Sequence, residues 1–285
     1  MPEKPRYIFT LTTGHSGGTL LNLLLGASPA IFAAGESLRL WTLKDLEKQP
    51  EGTRSFWGSA AYELEAQGWP VETLTREMVN AAPLHLWEAW TGIVARQVGA
   101  NRIIADKSLS LGTIRTICES GIVNPFFVHL IRDPRGVDFS YRRKYGPDWR
   151  TAAMWQKSHL AIERFVRGRP GFIKVRYEDL ASQPDIWMNK VLAAAGDHFD
   201  LELLPSYPKN LAAKSLADPV FENTIYAGNR MRHGENRSGR GIAADLRYIE
   251  DLPQFEWLRT STLCLAGLLR YNYPVSRAAL RHMLS

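Results

Sequence analysis

Short apolar runs alternate with longer amphipathic segments along most of the chain. The apolar runs predict buried strands at residues 7–12, 31–36, 102–106, 125–131 and 172–176. The segments between them predict helices at residues 19–25, 75–98, 109–119, 137–145, 151–167 and 184–195. Because strands that alternate with helices form parallel sheets, the pattern predicts an α/β fold, a single domain over residues 1–285 whose central parallel β-sheet is flanked by helices on both faces.

Two segments depart from this alternation. Residues 49–75 are rich in Gly, Pro and Trp and weakly periodic, which predicts an irregular insertion, either a substrate-pocket segment or a surface loop. Residues 201–240 combine three prolines with a basic cluster and predict a long loop. Helical patterns then resume at residues 243–250, 255–269 and 276–284, a helical C-terminal portion over about residues 241–285.

The first predicted strand leads into a glycine-rich turn. Residues 13–18 hold three glycines and no large aliphatic side chain, and an apolar helix follows. Such a turn directs backbone N–H groups, the hydroxyls of Ser16 and Thr19 and the positive end of a helix dipole at one point, which favours phosphate or sulfate. The nucleoside triphosphatase motif GxxxxGK[ST] does not fit, because His15 and not lysine precedes the hydroxyl. A turn that uses glycine only for tight packing is the alternative.

A second basic and hydroxyl-bearing motif follows a later strand. Arg132 closes the strand at residues 125–131, and Ser140 lies eight residues further on, in the next helix. An arginine fork, a hydroxyl and a helix N-terminus together can form a phosphate site. The alternative is a structural ion pair between Arg132 and Asp133 or another carboxylate. Two anion sites at the carboxyl ends of parallel strands suit a nucleotide with phosphates at both ends of its ribose.

Composition narrows the functional classes. The net charge of +6 suits an anionic ligand, but no basic run or RNA-binding signature is present, so we predict no nucleic acid partner. Cys118 and Cys264 form no metal-ligand pattern, which predicts a reducing compartment and no metal. Without a signal peptide or an apolar stretch of the roughly 20 residues that span a bilayer, we expect a cytoplasmic protein. The oligomeric state stays open, a homo-oligomer included.

Several motifs carry a family resemblance. TGHSGGTLLNLLL and HLIRDPRGVDFSYRR resemble the paired signatures of sulfotransferases that use 3′-phosphoadenosine 5′-phosphosulfate (PAPS). ADKSLS, KVRYEDLASQP and AGNRMR resemble further elements, so the similarity spans about residues 6–235 and is closest in style to the carbohydrate and tyrosylprotein sulfotransferases. The resemblance implies a P-loop-like fold, PAPS as co-substrate, 3′-phosphoadenosine 5′-phosphate (PAP) as product, and no metal.

The resemblance also implies binding roles for the motif residues. Those that would hold the 5′-phosphosulfate are Ser16, Gly17, Gly18, Thr19 and Leu20. Arg132 and Ser140 would hold the 3′-phosphate, with Tyr177 close to the cofactor. Asn229, Arg230 and Arg232 would close over the nucleotide.

Two positions depart from the family pattern. His15 stands where the family usually has lysine or arginine, and Leu109 replaces a common proline. A neutral His15 could donate one hydrogen bond to the sulfate, and it would supply full charge only when protonated.

Sulfuryl transfer by in-line displacement needs a base for the acceptor and cations for the leaving group. Glu36, in GESLR, resembles the acidic segment that supplies the base in the family; the alternative is a glutamate that stabilises a helix start. Lys107 would stabilise the leaving group, with a surface lysine as the alternative, and His15 completes the catalytic set.

The acceptor class stays open among a carbohydrate, a lipid, a small alcohol or phenol, and a peptide tyrosine. Two other functions compete with sulfuryl transfer. One is a small-molecule kinase, against which the absent lysine of the phosphate loop argues. The other is a catalytically silent nucleotide-binding module.

Overall fold

The computed structural model describes residues 3–99, 101–108, 110–216, 218–221, 225 and 241–284. The predicted nucleotide-closing residues Asn229, Arg230 and Arg232 lie outside the described residues, as does Leu109.

Five parallel strands form one sheet in the order β2-β3-β1-β4-β5. The strands are β1 (Arg6–Leu11), β2 (Ile31–Gly35), β3 (Ile103–Asp106), β4 (Asn124–Ile131) and β5 (Phe172–Arg176). The sheet is flanked by helices, which confirms the predicted α/β class and all five predicted strands.

The helices fall between and after the strands. They are α1 (Gly18–Gly26), α2 (Glu51–Ala66), α3 (Arg76–Asn80), α4 (Leu84–Val98), α5 (Leu111–Glu119), α6 (Pro134–Tyr145), α7 (Arg150–Val166), α8 (Tyr177–Ser182), α9 (Pro184–Phe199), α10 (Tyr248–Asp251), α11 (Gln254–Leu263), α12 (Leu265–Arg270) and α13 (Arg277–Leu284). Short 3₁₀ helices lie at Leu40–Lys48, Val71–Thr73, Leu211–Ala213 and Pro219–Phe221.

Strand periodicity divides the core between the two faces of the sheet. Tyr7 and Phe9 of β1 pack into a cluster with the tryptophans of α2 and α4. Ile8 packs into a second cluster with α1 and α9. Because successive side chains of a strand point to opposite faces, one apolar strand supplies both clusters. The C-terminal helices add a third cluster against α6 and α7.

The strand order places β1 in the middle of the sheet. The chain passes from β1 outwards to β2, returns to β3 on one flank of β1, and then crosses to β4 on the other flank. Such a change of direction opens a crevice at the carboxyl ends of the strands. The loops after β1 and β4 meet there, since Leu11 is in register with His129.

Residues 49–75 are not the irregular insertion that the sequence predicted, because α2 occupies Glu51–Ala66. Thr53, Trp57 and Leu64 of α2 are buried at helical spacing, and this periodicity outweighs the two glycines that suggested a loop. The single helix predicted at residues 75–98 is also wrong. It divides into α3 and α4, because Pro83 cannot continue a helix and caps α4 instead.

Other helix boundaries shift by a few residues. The helix predicted from residue 109 begins at Leu111, where the Ser110 hydroxyl accepts a hydrogen bond from the backbone N–H of Thr113. The helix predicted to end at residue 195 continues past Gly196 to Phe199. Within the described part of the chain, no helix combines the length and the apolar composition that a bilayer-crossing segment requires.

Candidate functional site

A cavity of about 680 Å³ lies at the carboxyl ends of the strands. The loop after β1 forms its floor, the ends of β2 and β3 form one wall, and β4 with α6 forms the opposite wall. Residues 241–247 complete the rim. The volume is in the range typical of small-molecule sites.

The loop after β1 is shaped by glycine. Gly17 has a φ of 89°, and a Cβ at this position would overlap the ring of Tyr177. The first hydrogen bond of α1 runs from the N–H of Leu21 to the carbonyl of Gly17. The N–H groups of Gly18, Thr19 and Leu20 therefore lack acceptors within the helix, and they lie at the positive end of its dipole beside the cavity.

Hydroxyl and amide side chains fix the position of this loop. The Oγ1 of Thr13 and the Oγ of the buried Ser16 are 2.8 Å apart. In α1, Asn22 donates to the carbonyl of Ala105 at 3.0 Å and accepts from the N–H of Gly35 at 3.0 Å. A fully buried Asn22 thus ties the start of α1 to the ends of β3 and β2.

Arg132 stands at the end of β4, and among the described residues its guanidinium hydrogen-bonds to neutral groups. It donates to the carbonyl of His15 at 2.9 Å, to Ser140 Oγ at 3.2 Å and to the carbonyl of Asp245 at 2.9 Å. It lies 4.5 Å from the ring centroid of Tyr177. Arg132 and Ser140, which the sequence placed in one motif, are therefore in direct contact in the structure.

The structural ion pair considered for Arg132 does not form with Asp133. Asp133 instead pairs with Arg135 at 2.6 Å, a contact in which both side chains are fully buried. The carboxylate that approaches Arg132 is that of Asp245, at 3.9 Å. The Nε of Arg132 is buried without a hydrogen-bond partner among the described residues. Among the described residues, the guanidinium therefore has no ion pair with a carboxylate shorter than 3.9 Å.

Glu36 lies on the opposite wall between two cations. Its Oε1 accepts from Lys107 Nζ at 2.7 Å, and its Oε2 pairs with Arg39. Burial raises the pKa of Glu36, but Lys107 and Arg39 outweigh burial and lower the pKa below its ordinary value. Both Glu36 and Lys107 are buried, so Lys107 is not the surface lysine considered as an alternative.

Asp106 holds this pair in place. It accepts from the N–H and hydroxyl of Ser37 at 2.9 and 2.5 Å, and from the N–H of Ser108 at 2.6 Å. These contacts join the chain after β2 to the chain after β3. Glu36 and Lys107, the neighbours of Ser37 and Ser108, are consequently held side by side.

His15 sits at the tip of the loop with a φ of 61°. Its ring contacts Tyr141 edge-on, with 4.5 Å between the centroids, and also approaches Tyr145. Burial, followed by the charges of Lys144 and Arg132, lowers the pKa of His15 to about 4. His15 is therefore neutral near pH 7 and adds no positive charge to the loop.

The structure brings nearly all of the sequence-predicted site residues that it describes to the cavity lining. These are His15, Gly17, Gly18, Thr19, Leu20, Glu36, Lys107, Arg132, Ser140 and Tyr177. Ser16 lies just behind the lining, where it contacts Thr13.

Sequence reasoning missed several residues of this cavity. Arg39 and Lys144 follow Glu36 and Ser140 by three and four residues, a spacing that places side chains together on a helix and could have revealed Lys144. Asp245 and Arg247 lie more than 100 residues from Arg132, and no local signal predicts their approach.

Charge at the cavity favours an anionic ligand. Five of its lining residues are basic, namely Arg39, Lys107, Arg132, Lys144 and Arg247, against two carboxylates, Glu36 and Asp245. Together with the glycine loop, this lining fits a ligand with several phosphate or sulfate groups.

Comparisons with known proteins agree with this geometry. The model of the Sulfotransferase family matches residues 5–200. The sulfotransferase domain of the olefin synthase of Synechococcus PCC 7002 has a TM-score of 0.52 and 24% identity, over 93% of this chain and 95% of that domain.

A second solved structure is similar to the same extent. The sulfotransferase domain from the curacin biosynthetic pathway has a TM-score of 0.52 and 20% identity, over 95% of this chain and 100% of that domain. Identities this low show the fold, and they confirm the P-loop-like architecture. No curated protein sequence matches the chain.

Proposed function

The chain belongs to the sulfotransferase family, and we propose that it transfers the sulfuryl group of PAPS to a hydroxyl group of an acceptor. One observation carries the proposal. The glycine loop, Arg132 and the Glu36–Lys107 pair all open into one cavity. This arrangement offers two anion sites for a nucleotide with phosphates on both sides of its ribose, and a carboxylate within the same space.

In this proposal the loop after β1 holds the 5′-phosphosulfate. The N–H groups at the start of α1 and the hydroxyl of Thr19 supply hydrogen bonds, and the helix dipole favours the negative charge. Arg132 and Ser140 hold the 3′-phosphate, because Arg132 presents a guanidinium that no carboxylate fully compensates. Tyr177 supports both sites, since its ring contacts Gly17 and Arg132.

Glu36 is the proposed base. The acceptor oxygen forms a bond to sulfur while the bond between sulfur and the 5′-phosphate oxygen breaks, and the electron pair leaves with PAP. The acceptor proton passes to Glu36. The lowered pKa of Glu36 keeps it ionised near neutral pH, as a proton acceptor must be.

Lys107 is proposed to stabilise the leaving group. Its ammonium hydrogen-bonds Glu36, and its stem runs beside Gly18 of the loop, so a small displacement would bring the charge to a group bound there. A neutral His15 would contribute one hydrogen bond. Asn229, Arg230 and Arg232 are proposed to close over the nucleotide. Cys118 and Cys264 are unpaired, which supports action in a reducing compartment such as the cytoplasm.

Two measurements on the full chain test this function. The first is a thermal-shift titration with PAP, ADP, ATP and adenosine 5′-phosphosulfate. A ligand that binds only the folded state raises the melting temperature with its concentration, and we expect PAP to stabilise most. The second is transfer of radiolabelled sulfate from PAPS to a panel of sugars, lipids, phenols and tyrosine peptides.

The outcomes separate the competing functions. Selective stabilisation by PAP together with labelled product supports the proposal. Stronger stabilisation by ATP would overturn it in favour of a kinase. Binding of PAP without transfer to any hydroxyl class would instead leave a nucleotide-binding module.

A further inference from the structure

The loop after β1 contains no basic residue between Thr12 and Thr19 apart from His15. His15 is uncharged near neutral pH, because burial and the adjacent cations lower its pKa to about 4. The loop therefore offers an anion hydrogen bonds and a helix dipole but no full positive charge. The full positive charges that bind a nucleotide in this cavity therefore lie on elements outside the loop.

Lys144 is in a position to supply that charge. It lies on α6 four residues after Ser140, so the two side chains share one face of the helix and are one turn apart. Both line the cavity. The charge of Lys144 reaches His15, whose carbonyl accepts a hydrogen bond from Arg132. Lys144, Ser140 and Arg132 thus surround the same corner of the cavity.

The charge of Lys144 is less compensated than that of the other lysine and exposed arginines in the lining. Lys107 and Arg39 pair with Glu36, and Arg247 pairs with Asp245 at 2.7 Å. Lys144 has no ion pair with any carboxylate of the described residues, and its ammonium lies 4.9 Å from the ring centroid of Tyr145. A ligand anion would therefore meet Lys144 without displacing a protein carboxylate.

We propose that Lys144 is a third ligand of the nucleotide 3′-phosphate, beside Arg132 and Ser140. The inference rests on the proposed function, because it takes the nucleotide to be PAP or PAPS. This role has a specific consequence for which nucleotides bind. Lys144 favours adenosine nucleotides with a 3′-phosphate over those without one.

The test compares PAP with adenosine 5′-monophosphate (AMP), which lacks the 3′-phosphate, by isothermal titration of the full chain. For Lys144→Met, we expect the Kd for PAP to rise about five- to tenfold, the range for one charge-assisted contact near solvent. The Kd for AMP stays within about twofold. Lys144→Arg retains PAP affinity, and the PAP affinity of Lys144→Met depends less on salt than that of the wild type.

Arg143→Met is the matched control. Arg143 is the adjacent basic residue, it lies 5.7 Å from the ring centroid of Phe139, and it does not line the cavity, so its loss should leave both Kd values unchanged. Unchanged PAP binding by Lys144→Met, or an equal loss of PAP and AMP binding, overturns the role of Lys144 alone. Absence of PAP binding by the wild type overturns the proposed function as well.

Discussion

The two ends of the cavity differ in how far their charged side chains are compensated by neighbouring charges. At the carboxylate end, defined by Glu36, Lys107 and Arg39, charged side chains compensate one another directly. At the guanidinium end, defined by Arg132 and Ser140, the cation contacts two backbone carbonyls, a hydroxyl and an aromatic ring, and the carboxylate that pairs with it, that of Asp245, is 3.9 Å away. Both ends follow strands of the same sheet, so the difference lies in the partners and not in the fold.

Under the proposed function, this difference explains how one site can hold both a base and a multiply charged nucleotide. Burying an uncompensated charge is costly, which explains why the buried Glu36 has two cationic partners. Arg132 is positioned by dipoles, which fix its geometry but do not neutralise it. In the proposed function, the carboxylate end accordingly performs the chemistry and the guanidinium end binds a dianion.

The largest expected effect separates chemistry from binding. Glu36→Gln removes the proton acceptor and preserves the shape of the side chain. We expect kcat for sulfuryl transfer to fall by about 10²- to 10⁴-fold, the usual range for a general base. PAP affinity should be retained or improved, because Lys107 and Arg39 lose the carboxylate that compensates them. Steady-state kinetics and PAP titration measure the two quantities.

Glu47→Gln, at an exposed glutamate of the Leu40–Lys48 helix, is the control and should match the wild type. If Glu36→Gln transferred sulfate at the wild-type rate, the carboxylate end would not contain the base.

The second effect concerns binding. Arg132→Ala should weaken PAP binding by about a hundredfold, since truncating a buried charged hydrogen-bond donor typically costs about 2–5 kcal/mol. Arg247→Ala is the contrasting variant, because Arg247 lines the same cavity but is compensated by Asp245. We expect it to change PAP affinity less than threefold, as is typical of a partly exposed ion pair. Equal effects of the two substitutions on the Kd would contradict the comparison between compensated and uncompensated cations.

The third effect concerns the loop between the two ends. Gly17→Ala would place a Cβ against the Tyr177 ring at a positive φ, and we expect a loss of about 1–3 kcal/mol in the free energy of unfolding together with weaker PAP binding. Gly58→Ala is the matched control, because a Cβ on Gly58 of α2 would meet no atom within 4 Å. There we expect stabilisation by about 0.5–1 kcal/mol. Urea unfolding of both variants gives the comparison, and equal effects would argue against glycine being required at residue 17.

The fourth effect, on stability alone, concerns Glu178, which lies behind the guanidinium end. Glu178 accepts from the N–H of Asp133 and the hydroxyl of Tyr273. Burial and then Asp133 raise the pKa of Glu178 to about 7, although Tyr273 and Arg132 oppose the rise. The folded state thus keeps a proton that the unfolded state releases near pH 4.5, so stability falls as pH increases from about 4.5 to about 7.

Between pH 5 and pH 8, we expect the free energy of unfolding of the wild type to fall. In Glu178→Gln this fall should be smaller by on the order of 1–3 kcal/mol. Urea unfolding at both values measures the difference, with Glu72→Gln at an exposed position as the control. If the free energy of unfolding of Glu178→Gln fell with pH as steeply as that of the wild type, the pH dependence would come from other groups.

The parts of the site that the sequence predicted are those that depend only on residues close together in the chain. The strand runs, the glycine turn and the placement of Arg132 at a strand end follow from periodicity and residue type over fewer than ten positions. The prediction for residues 49–75 was wrong because two glycines in α2 obscured the helical spacing of its buried residues. These residues pack against α4, and their burial stabilises the helix. Local preference is a small term, and burial of a helix face exceeds it.

The sequence by itself determined the parallel α/β sheet and the presence of glycine, hydroxyl and basic residues at the carboxyl ends of its strands. Only the tertiary structure decided which charges are compensated. Lys107 reaches Glu36 across 71 residues, and the carbonyl of Asp245 reaches Arg132 across 113. The physical reason is that periodicity acts between neighbours in the chain, whereas ion pairing and burial depend on distances in space, which packing sets only after the sheet and helices have assembled.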